Sequence, residues 1–364
     1  MTIQRLLLNN FRNLHSAELH PSAGLNIICG KNASGKTSLL EAIHLLSLAR
    51  SFRSKRLAQL IEHDQLAFTV FAQLLDCQGY SLSLAIQRQA SKDETEIQLN
   101  GRRPSHLVEL TSQLPLQLIN PDAFRLLEGS PKERRQFLDW GVFHVEPGFI
   151  HVWQRFRRAL KQRNSLLRHG RIDPLQLSLW EQELAVTGEQ VTRFRQAYLK
   201  QLEPVFYQLL AQLSSVVDLK LNFLRGWDKN LTLQASLENA QKKDKEQGFT
   251  QVGPQRADLR INLAGRNACE VLSRGQQKLV VSALKLAQGQ LLAEATQKRC
   301  VYLIDDLPAE LDKQHREVFC QVLENQSSQV FITSVEASAL DIAWQYPEKH
   351  LWFHVEQGQI SPQT

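Results

Sequence analysis

Short apolar runs, several of them alternating with polar residues, occupy the first third of the chain and predict β-strands. Asn100-Gly101 and Cys77-Gln78-Gly79 are turn signals beside two of these runs. The second turn predicts an antiparallel hairpin from the runs that flank it. The predicted strands lie at 3–8, 25–29, 66–75, 80–87, 97–99 and 114–119.

From Pro131 to Ser214 the periodicity becomes helical, with breaks at Pro147-Gly148, Gly170 and Pro174. A long apolar helix is then predicted from Ser273 to about Ala295, and another from about Asp312 to Asn325. The polar run Gln241–Gln247 is expected to be a loop or a helix end. Strands are predicted again at 218–224, 231–235, 259–263, 301–304, 329–333 and 351–355.

This order of elements predicts an α/β head that is split in sequence, 1–130 and 215–364, with a mixed sheet, helices and an antiparallel β part. A helical domain over 131–214 is inserted into it. The insertion has no long heptad run, so a long coiled coil is not expected. It contains 13 Lys and Arg against 8 Asp and Glu, a net charge of +5 out of +6 for the whole chain.

Composition places the chain among ordinary globular proteins, because 43% of its 364 residues are apolar and 22% are charged. No apolar run is long enough for a membrane span, and the N-terminus lacks a signal-peptide pattern, so we expect a cytoplasmic protein. The five cysteines lack metal-site spacing and are interpreted as reduced core residues. The basic balance is compatible with a polyanionic partner.

One octet fits the phosphate-loop pattern Gly-x4-Gly-Lys-Ser/Thr, between a predicted strand and an apolar helix. Its glycines allow backbone N–H groups to surround a phosphate, and the helix N-terminus favours the anion. Lys36 is predicted to bind the β/γ-phosphates of ATP, and Thr37 to bind Mg²⁺. The octet consists of Gly30, Lys31, Asn32, Ala33, Ser34, Gly35, Lys36 and Thr37.

Two later segments narrow the class of P-loop protein. Leu272–Lys278, with Ser273, Gly275 and Gln276, resembles the signature motif of ABC ATPases, which holds the γ-phosphate bound by the other subunit. Val301–Ile304 is an apolar strand that ends in Asp305 and Asp306, a Walker B pattern. Asp305 is predicted to hold the Mg²⁺ shell with Thr37. Asp306 is predicted to be the general base beside the catalytic Lys36.

Two departures from the ABC pattern predict slow hydrolysis used as a switch. The base position carries Asp306 where most ABC ATPases carry Glu, and Thr333-Ser334 stand where a switch histidine is expected. A soluble ABC ATPase coupled to a transporter or the ribosome would have the switch histidine and usually a glutamate at position 306. A P-loop small-molecule kinase would leave the signature segment unexplained. No guanine-reading motif is present, which disfavours a GTPase.

Further segments carry a resemblance to one family. Leu8–Leu14, together with Asn32, resembles the N-terminal signature of SMC-like DNA-repair ATPases. More specifically, the chain resembles the RecF family of bacterial recombination mediators over essentially its whole length. The segments are Ser51–Arg53, Gly129–Pro131 with Arg134-Arg135 and Phe137–Asp139, Leu160–Asn164, Gly253-Pro254 and Ile304–Leu307. The chain departs from that family at Gln255 and Ala257, where His and Asp are frequent.

The resemblance implies an ATP-dependent homodimer that binds DNA at single-strand gaps and the adjacent duplex. It also implies work with RecR and RecO in loading RecA, a part in SOS induction, and a weak DNA-stimulated ATPase activity. Arg12, in the N-terminal signature, and Ser273, Gly275 and Gln276 would contact nucleotide.

A basic helix is the candidate DNA-binding surface. His151–Arg171 contains seven Lys and Arg and no acid, with apolar residues along one face. Arg157, Arg158, Lys161 and Arg168 fall on the opposite face, which either binds phosphates or is simply solvated. Arg163 falls within the apolar stripe, which indicates a buried carboxylate partner or a bend.

A second set of cations follows the phosphate-loop helix and either contacts DNA or reaches the nucleotide. It consists of Arg50, Arg53, Lys55 and Arg56.

Overall fold

The computed structural model describes residues 1–76, 78–92, 94–168, 173–326 and 328–363. They divide into two compact units: 1–123 with 212–214 and 278–364, and 124–211 with 215–277. Cys77 of the predicted turn lies outside the described residues, as do Gly170 and Arg171. No helix of the described residues is both long and apolar enough to cross a bilayer.

The described residues contain strands in three sheets. The strands are β1 (Thr2–Phe11), β2 (Leu14–Leu19), β3 (Leu25–Cys29), β4 (Ala67–Leu75), β5 (Ser81–Gln89), β6 (Thr95–Leu99), β7 (Leu116–Ile119), β8 (Leu219–Leu224), β9 (Asp258–Leu263), β10 (Arg266–Asn267), β11 (Val301–Ile304), β12 (Gln329–Ser334), β13 (Leu351–Glu356) and β14 (Gln359–Gln363).

The helices of the described residues include one of 40 residues. They are α1 (Lys36–Leu48), α2 (Leu107–Gln113), α3 (Arg125–Glu128), α4 (Pro131–Val145), α5 (Phe149–Arg168), α6 (Pro174–Leu213), α7 (Leu233–Gln247), α8 (Ala268–Val271), α9 (Arg274–Thr296), α10 (Leu307–Glu310) and α11 (Lys313–Asn325). Short 3-10 turns lie at Leu57–Leu60, Pro121–Phe124, Pro254–Arg256, Ala337–Leu340 and Pro347–Lys349.

The first unit contains two sheets with α1 against both. One sheet has the order β14-β13-β3-β12-β11-β7 and is parallel except for its β14 edge. The other has the order β2-β1-β4-β5-β6 and is antiparallel. Because α1 is apolar on nearly all sides, Leu39, Leu40, Ile43, Leu45 and Leu46 are fully buried in the core that the two sheets share.

The second unit joins helices to a small antiparallel sheet, β10-β9-β8. Helix α4 packs on β9, and α5 packs on α7. Arginines bind the loop before β9: Arg134 pairs with Asp258, Arg135 donates to the Ala257 carbonyl, and Arg195 donates to the Pro254 carbonyl. The unit therefore includes 215–277, a wider division than the predicted insertion 131–214.

The predicted strand 231–235 is wrong. Thr232 is the N-cap of α7, and its hydroxyl accepts the Ala235 N–H at 3.2 Å. Leu231-Thr232-Leu233 alternates like a strand, but a capping threonine followed by strong helix formers starts a helix instead. Gln241–Gln247 is the end of that helix. The other predicted strands and helices are present with small shifts at their ends. The elements that were not predicted are β2, β10, β14, α2, α3, α8 and α10.

Candidate nucleotide-binding site

The phosphate loop lies between β3 and α1, as the sequence predicts. Both of its glycines lie so close to neighbouring atoms that a side chain would clash. A Cβ on Gly30 would lie 2.2 Å from the Val355 carbonyl oxygen, and one on Gly35, whose φ is +124°, would lie 2.7 Å from a Leu14 methyl. These positions therefore admit only glycine without local rearrangement.

Lys36 is the first residue of α1, and its ammonium is held by the loop itself. It donates to the carbonyl oxygens of Gly30 at 2.6 Å and Lys31 at 2.9 Å. Burial lowers the pKa of Lys36, and the negative charges of Asp306 and Asp305 oppose that shift. A cation held only by neutral carbonyls, with two carboxylates nearby, is well suited to exchange them for phosphate oxygens.

Thr37 and Asp305 meet, although they are far apart in sequence. Strand β11 lies between β7 and β12, so Asp305 follows a fully buried strand. The Thr37 hydroxyl lies 3.1 Å and 3.2 Å from the two carboxylate oxygens of Asp305. Hydroxyl and carboxylate oxygens are hard donors that suit Mg²⁺, which takes its other ligands from water and phosphates. No group of three or more His, Cys, Asp or Glu among the described residues could hold a metal alone.

Asp306 occupies a left-handed turn at the end of β11, with φ 52° and ψ 53°. Its backbone N–H donates to the Thr333 hydroxyl at 2.8 Å, and that hydroxyl donates to Asp305 at 2.9 Å. Asp306 lines the same cavity as Lys36 and Thr37. The predicted base is thus placed beside the phosphate loop.

The cavity has a volume of about 640 Å³ and lies within the first unit. Its size falls in the range of small-molecule sites. The residues that line it are Arg12, Asn13, Asn32, Ala33, Gly35, Lys36, Thr37, Ser38, Arg53, Gln59, Ile61, Asp306 and Val335.

A fully buried carboxylate, Glu41 of α1, organises the arginines of this cavity. It accepts two hydrogen bonds from Arg12, at 2.9 Å and 3.0 Å, and lies 3.6 Å from the Arg53 guanidinium. The Ser51 hydroxyl also donates to Glu41. Ser51–Arg53 therefore folds back onto the phosphate-loop helix, which places Arg53 at the cavity. All four cations of this set are exposed, but Arg50, Lys55 and Arg56 do not line the cavity.

Ser273, immediately before α9, and Gly275, in the first turn of α9, are exposed to solvent. The Ser273 N–H donates to the Gln276 side chain at 3.0 Å, and the Gln276 N–H donates to the Ser273 hydroxyl at 3.3 Å. This reciprocal pair caps the helix. A Cβ on Gly275 would meet nothing within 4 Å, so no contact inside the described chain requires glycine there.

Helix α5 has the predicted division between an apolar and a basic face. Phe156 and Ala159 are buried, whereas the basic set Arg157, Arg158, Lys161 and Arg168 is exposed. Among the described residues, no carboxylate lies within salt-bridge distance of that set. Arg155 differs, because it pairs with Glu183 at 2.8 Å.

Arg163 is fully buried and has carboxylate partners, the first of the two sequence alternatives. It binds Glu181 at 2.8 Å and Asp244 at 2.7 Å, and donates to the Thr250 hydroxyl at 2.8 Å. Asn164 accepts from both the N–H and the hydroxyl of Thr250. Arg163 and Asn164 therefore join α5 to α6, α7 and the following loop.

A family model for the RecF/RecN/SMC N-terminal domain matches residues 2–357. The chain belongs to this family. The DNA replication and repair protein RecF of Pseudomonas paraeruginosa is 52% identical, and the match covers 100% of this chain and 98% of that protein.

Solved structures agree with this assignment. That of the recombination mediator protein RecF-ATP in the RecFOR pathway has a TM-score of 0.86 and 27% identity, over 100% of this chain and 98% of that one. The Smc head domain derived from Pyrococcus furiosus, bound to the C-terminal domain of ScpA, has a TM-score of 0.60 and 15% identity, over 100% and 96%. The predicted resemblance and the ABC-type ATPase head fold are confirmed.

Two site residues were missed by sequence reasoning. Glu41 is the one acid in an otherwise apolar stretch of α1, a signal that was available. Thr333 was noted only as a replacement for histidine, and its contact with Asp305 depends on the pairing of β12 with β11.

Proposed function

We propose that this protein is an ATP-dependent DNA-binding protein of recombinational DNA repair and replication, acting in the cytoplasm at the nucleoid. ATP closes a homodimer on DNA at single-strand gaps, and slow hydrolysis opens it. The closed dimer works with RecO and RecR to load RecA and to permit SOS induction. The observation that carries the proposal is the meeting of Lys36, Thr37 and Asp305 beside one cavity in a full-length relative of RecF.

Nucleotide binding rests on the phosphate loop. The Lys36 ammonium leaves the Gly30 and Lys31 carbonyls for phosphate oxygens, and the N-terminus of α1 adds its positive dipole end. Arg12 and Arg53 line the same cavity and supply further positive charge. A relative solved as RecF-ATP supports ATP as the nucleotide.

Hydrolysis requires a base near the terminal phosphate, and Asp306 is our candidate. Thr37 and Asp305 would hold Mg²⁺, which when bound neutralises part of the phosphate charge. Asp306 would orient water and accept its proton, while Lys36 stabilises charge on the phosphate. The Asp306 carboxylate has one methylene less reach than a glutamate, which supports slow turnover.

Dimerisation rests on the exposed segment Ser273–Gln276. Glycine at 275 costs helix stability, about 1 kcal/mol relative to alanine, without any contact in the described chain that needs it. Close approach of a ligand from outside the chain would explain why glycine stands at position 275. We infer that this ligand is the terminal phosphate of ATP bound by a second copy.

DNA binding rests on the exposed basic set of α5. Four cations on one face, without carboxylates to neutralise them among the described residues, can replace counterions along a phosphate backbone. We expect phosphate contacts and little reading of bases.

The deciding experiment is fluorescence anisotropy of a labelled gapped duplex with the full chain in ATP, in ADP and without nucleotide. Binding that requires ATP and weakens with salt supports the proposal. Binding indifferent to nucleotide contradicts the clamp. Absence of binding at low salt contradicts the DNA function.

A charge-matched pair of variants tests the surface. Replacing Arg157, Arg158 and Lys161 with Gln should weaken DNA binding and flatten its salt dependence. Replacing Lys242, Lys243 and Lys245, which are exposed on α7, removes the same charge and should have little effect. Equal losses in both triple variants would show that only net charge matters.

A further inference from the structure

Among the described residues, only the Thr333 side chain hydrogen-bonds to both of the consecutive acids that follow β11, Asp305 and Asp306. It donates to Asp305 Oδ1 at 2.9 Å and accepts the Asp306 backbone N–H at 2.8 Å. Thr333 is fully buried near the end of β12, in register with β3 on its other side. A hydroxyl has one proton to donate and two lone pairs, so both bonds can form together.

The bond to Asp306 fixes the turn. A non-glycine residue in the left-handed region is strained and persists only where its surroundings hold it. Here the Thr333 oxygen satisfies the N–H of that strained residue, at the point where the strand ends and α10 begins. The direction of the Asp306 side chain toward the cavity depends on this turn.

The bond to Asp305 orients the other acid. Thr37 approaches both oxygens of the Asp305 carboxylate, but Thr333 binds only Oδ1. Thr333 therefore fixes the rotation of the carboxylate, while Oδ2 has Thr37 as its hydroxyl neighbour. One buried hydroxyl thus sets the direction of both carboxylates.

We propose that Thr333 is a positioning residue that holds Asp305 and Asp306 in the arrangement required for Mg²⁺-dependent binding of ATP. This inference rests on the proposed nucleotide function. It predicts a defect in the response to Mg²⁺ rather than in binding of the nucleotide itself, because Thr333 does not line the cavity.

The experiment titrates the full chain with a fluorescent methylanthraniloyl ATP, over a series of Mg²⁺ concentrations and in EDTA. Thr333→Val has nearly the same shape without the hydroxyl, and Thr333→Ser keeps the hydroxyl. Mg²⁺ should tighten binding of the fluorescent ATP. In Thr333→Val the Mg²⁺ concentration that gives half of this effect should rise about tenfold or more, because one hydrogen bond to a charged group is lost. Its affinity in EDTA should be unchanged, and Thr333→Ser should behave like the wild type.

Thr187→Val is the matched control, since Thr187 is also fully buried but donates to a backbone carbonyl in the second unit. It should leave the Mg²⁺ response unchanged. If Thr333→Val does not fold, as judged by circular dichroism, Thr333→Ala takes its place in the same titration.

Three results would overturn the inference: an unchanged Mg²⁺ response in Thr333→Val, an equal loss with and without Mg²⁺, or failure of Thr333→Ser to restore the response. A wild-type chain that binds no ATP would instead overturn the proposed function, and Lys36→Ala provides the non-binding reference.

Discussion

Lys278 and Glu310 form an ion pair of 3.0 Å that joins the first turns of α9 to the end of α10. Both side chains are largely buried, with 24% and 12% of their surface exposed. Lys278 ends the segment that resembles the ABC signature, and Glu310 ends α10, the helix that follows Asp305 and Asp306. The pair therefore joins the end of the segment that we propose contacts a second copy to the helix that follows the two acids.

Reversing either charge of this pair should weaken ATP-dependent dimerisation about fivefold, since a coupling of about 1 kcal/mol is lost. Lys278→Glu and Glu310→Lys are the single variants, and the double variant should regain most of the affinity. Light scattering after size-exclusion chromatography in ATP measures the dimer. A double variant no better than the singles would show that the ion pair is not the coupling.

Ser273→Ala should separate nucleotide binding from dimerisation. The Ser273 hydroxyl makes only a capping bond within the described chain, so ATP affinity should stay near that of the wild type. The dimer should weaken because the hydroxyl acts on the phosphate held by a second copy. Lys36→Ala is the contrasting variant and should lose both properties. Normal ATP-dependent dimerisation of Ser273→Ala would contradict the trans arrangement.

Asp306→Asn should hold the protein in its ATP-bound state on DNA. The amide keeps the size of the side chain but cannot accept a proton from water. We expect hydrolysis to fall at least about a hundredfold, the usual scale of general-base catalysis. Release of labelled gapped DNA after an ATP chase should slow in parallel. Unchanged hydrolysis would remove Asp306 from the base role.

Local sequence patterns predicted the parts of the site that are contiguous in the chain. The phosphate loop and Asp305-Asp306 were predicted because glycine, lysine and consecutive acids have strong chemical requirements at fixed spacing. Their meeting through Thr37 depends on strand order, in which β12 separates β3 from β11. Neither the residues nor the resemblance predicted that order, and Asp305 was expected beside Thr37 only because it ends a Walker B pattern.

Two other features were not fully predicted, one because it depends on a distant partner and one because two local signals compete. Arg163 falls in an apolar stripe, which predicted a buried carboxylate partner or a bend, but its partner Asp244 lies 81 residues away and could not be identified from the sequence. Thr232 starts a helix although its neighbours alternate like a strand, because one capping bond outweighs that weak local preference.

Arg163→Met should destabilise the protein by about 3–5 kcal/mol, because Glu181 and Asp244 would keep buried charge without a cation. Chemical unfolding followed by circular dichroism measures the loss. Arg155→Met is the matched control on the same helix, since its pair with Glu183 is exposed, and it should change stability little. If Arg163→Met lost as little stability as Arg155→Met, Arg163 would stabilise the protein only through its apolar stem, which methionine largely replaces.

Lys285 should make stability rise with pH under alkaline conditions. Its ammonium donates to the Gln117 side chain at 3.1 Å, and burial lowers the pKa of Lys285 to about 8 from an ordinary 10.5. The unfolded chain therefore binds more protons at this residue than the folded one between pH 8 and 10.5, so the free energy of unfolding increases with pH across that interval. The total change is about 3 kcal/mol. Other groups titrate in the same interval, so the measurement is the difference in the free energy of unfolding between the wild type and Lys285→Met, from urea unfolding at about pH 7, 9 and 10. The wild type should gain relative to the variant as pH rises. A difference that does not vary with pH would show that Lys285 keeps its ordinary pKa in the folded protein.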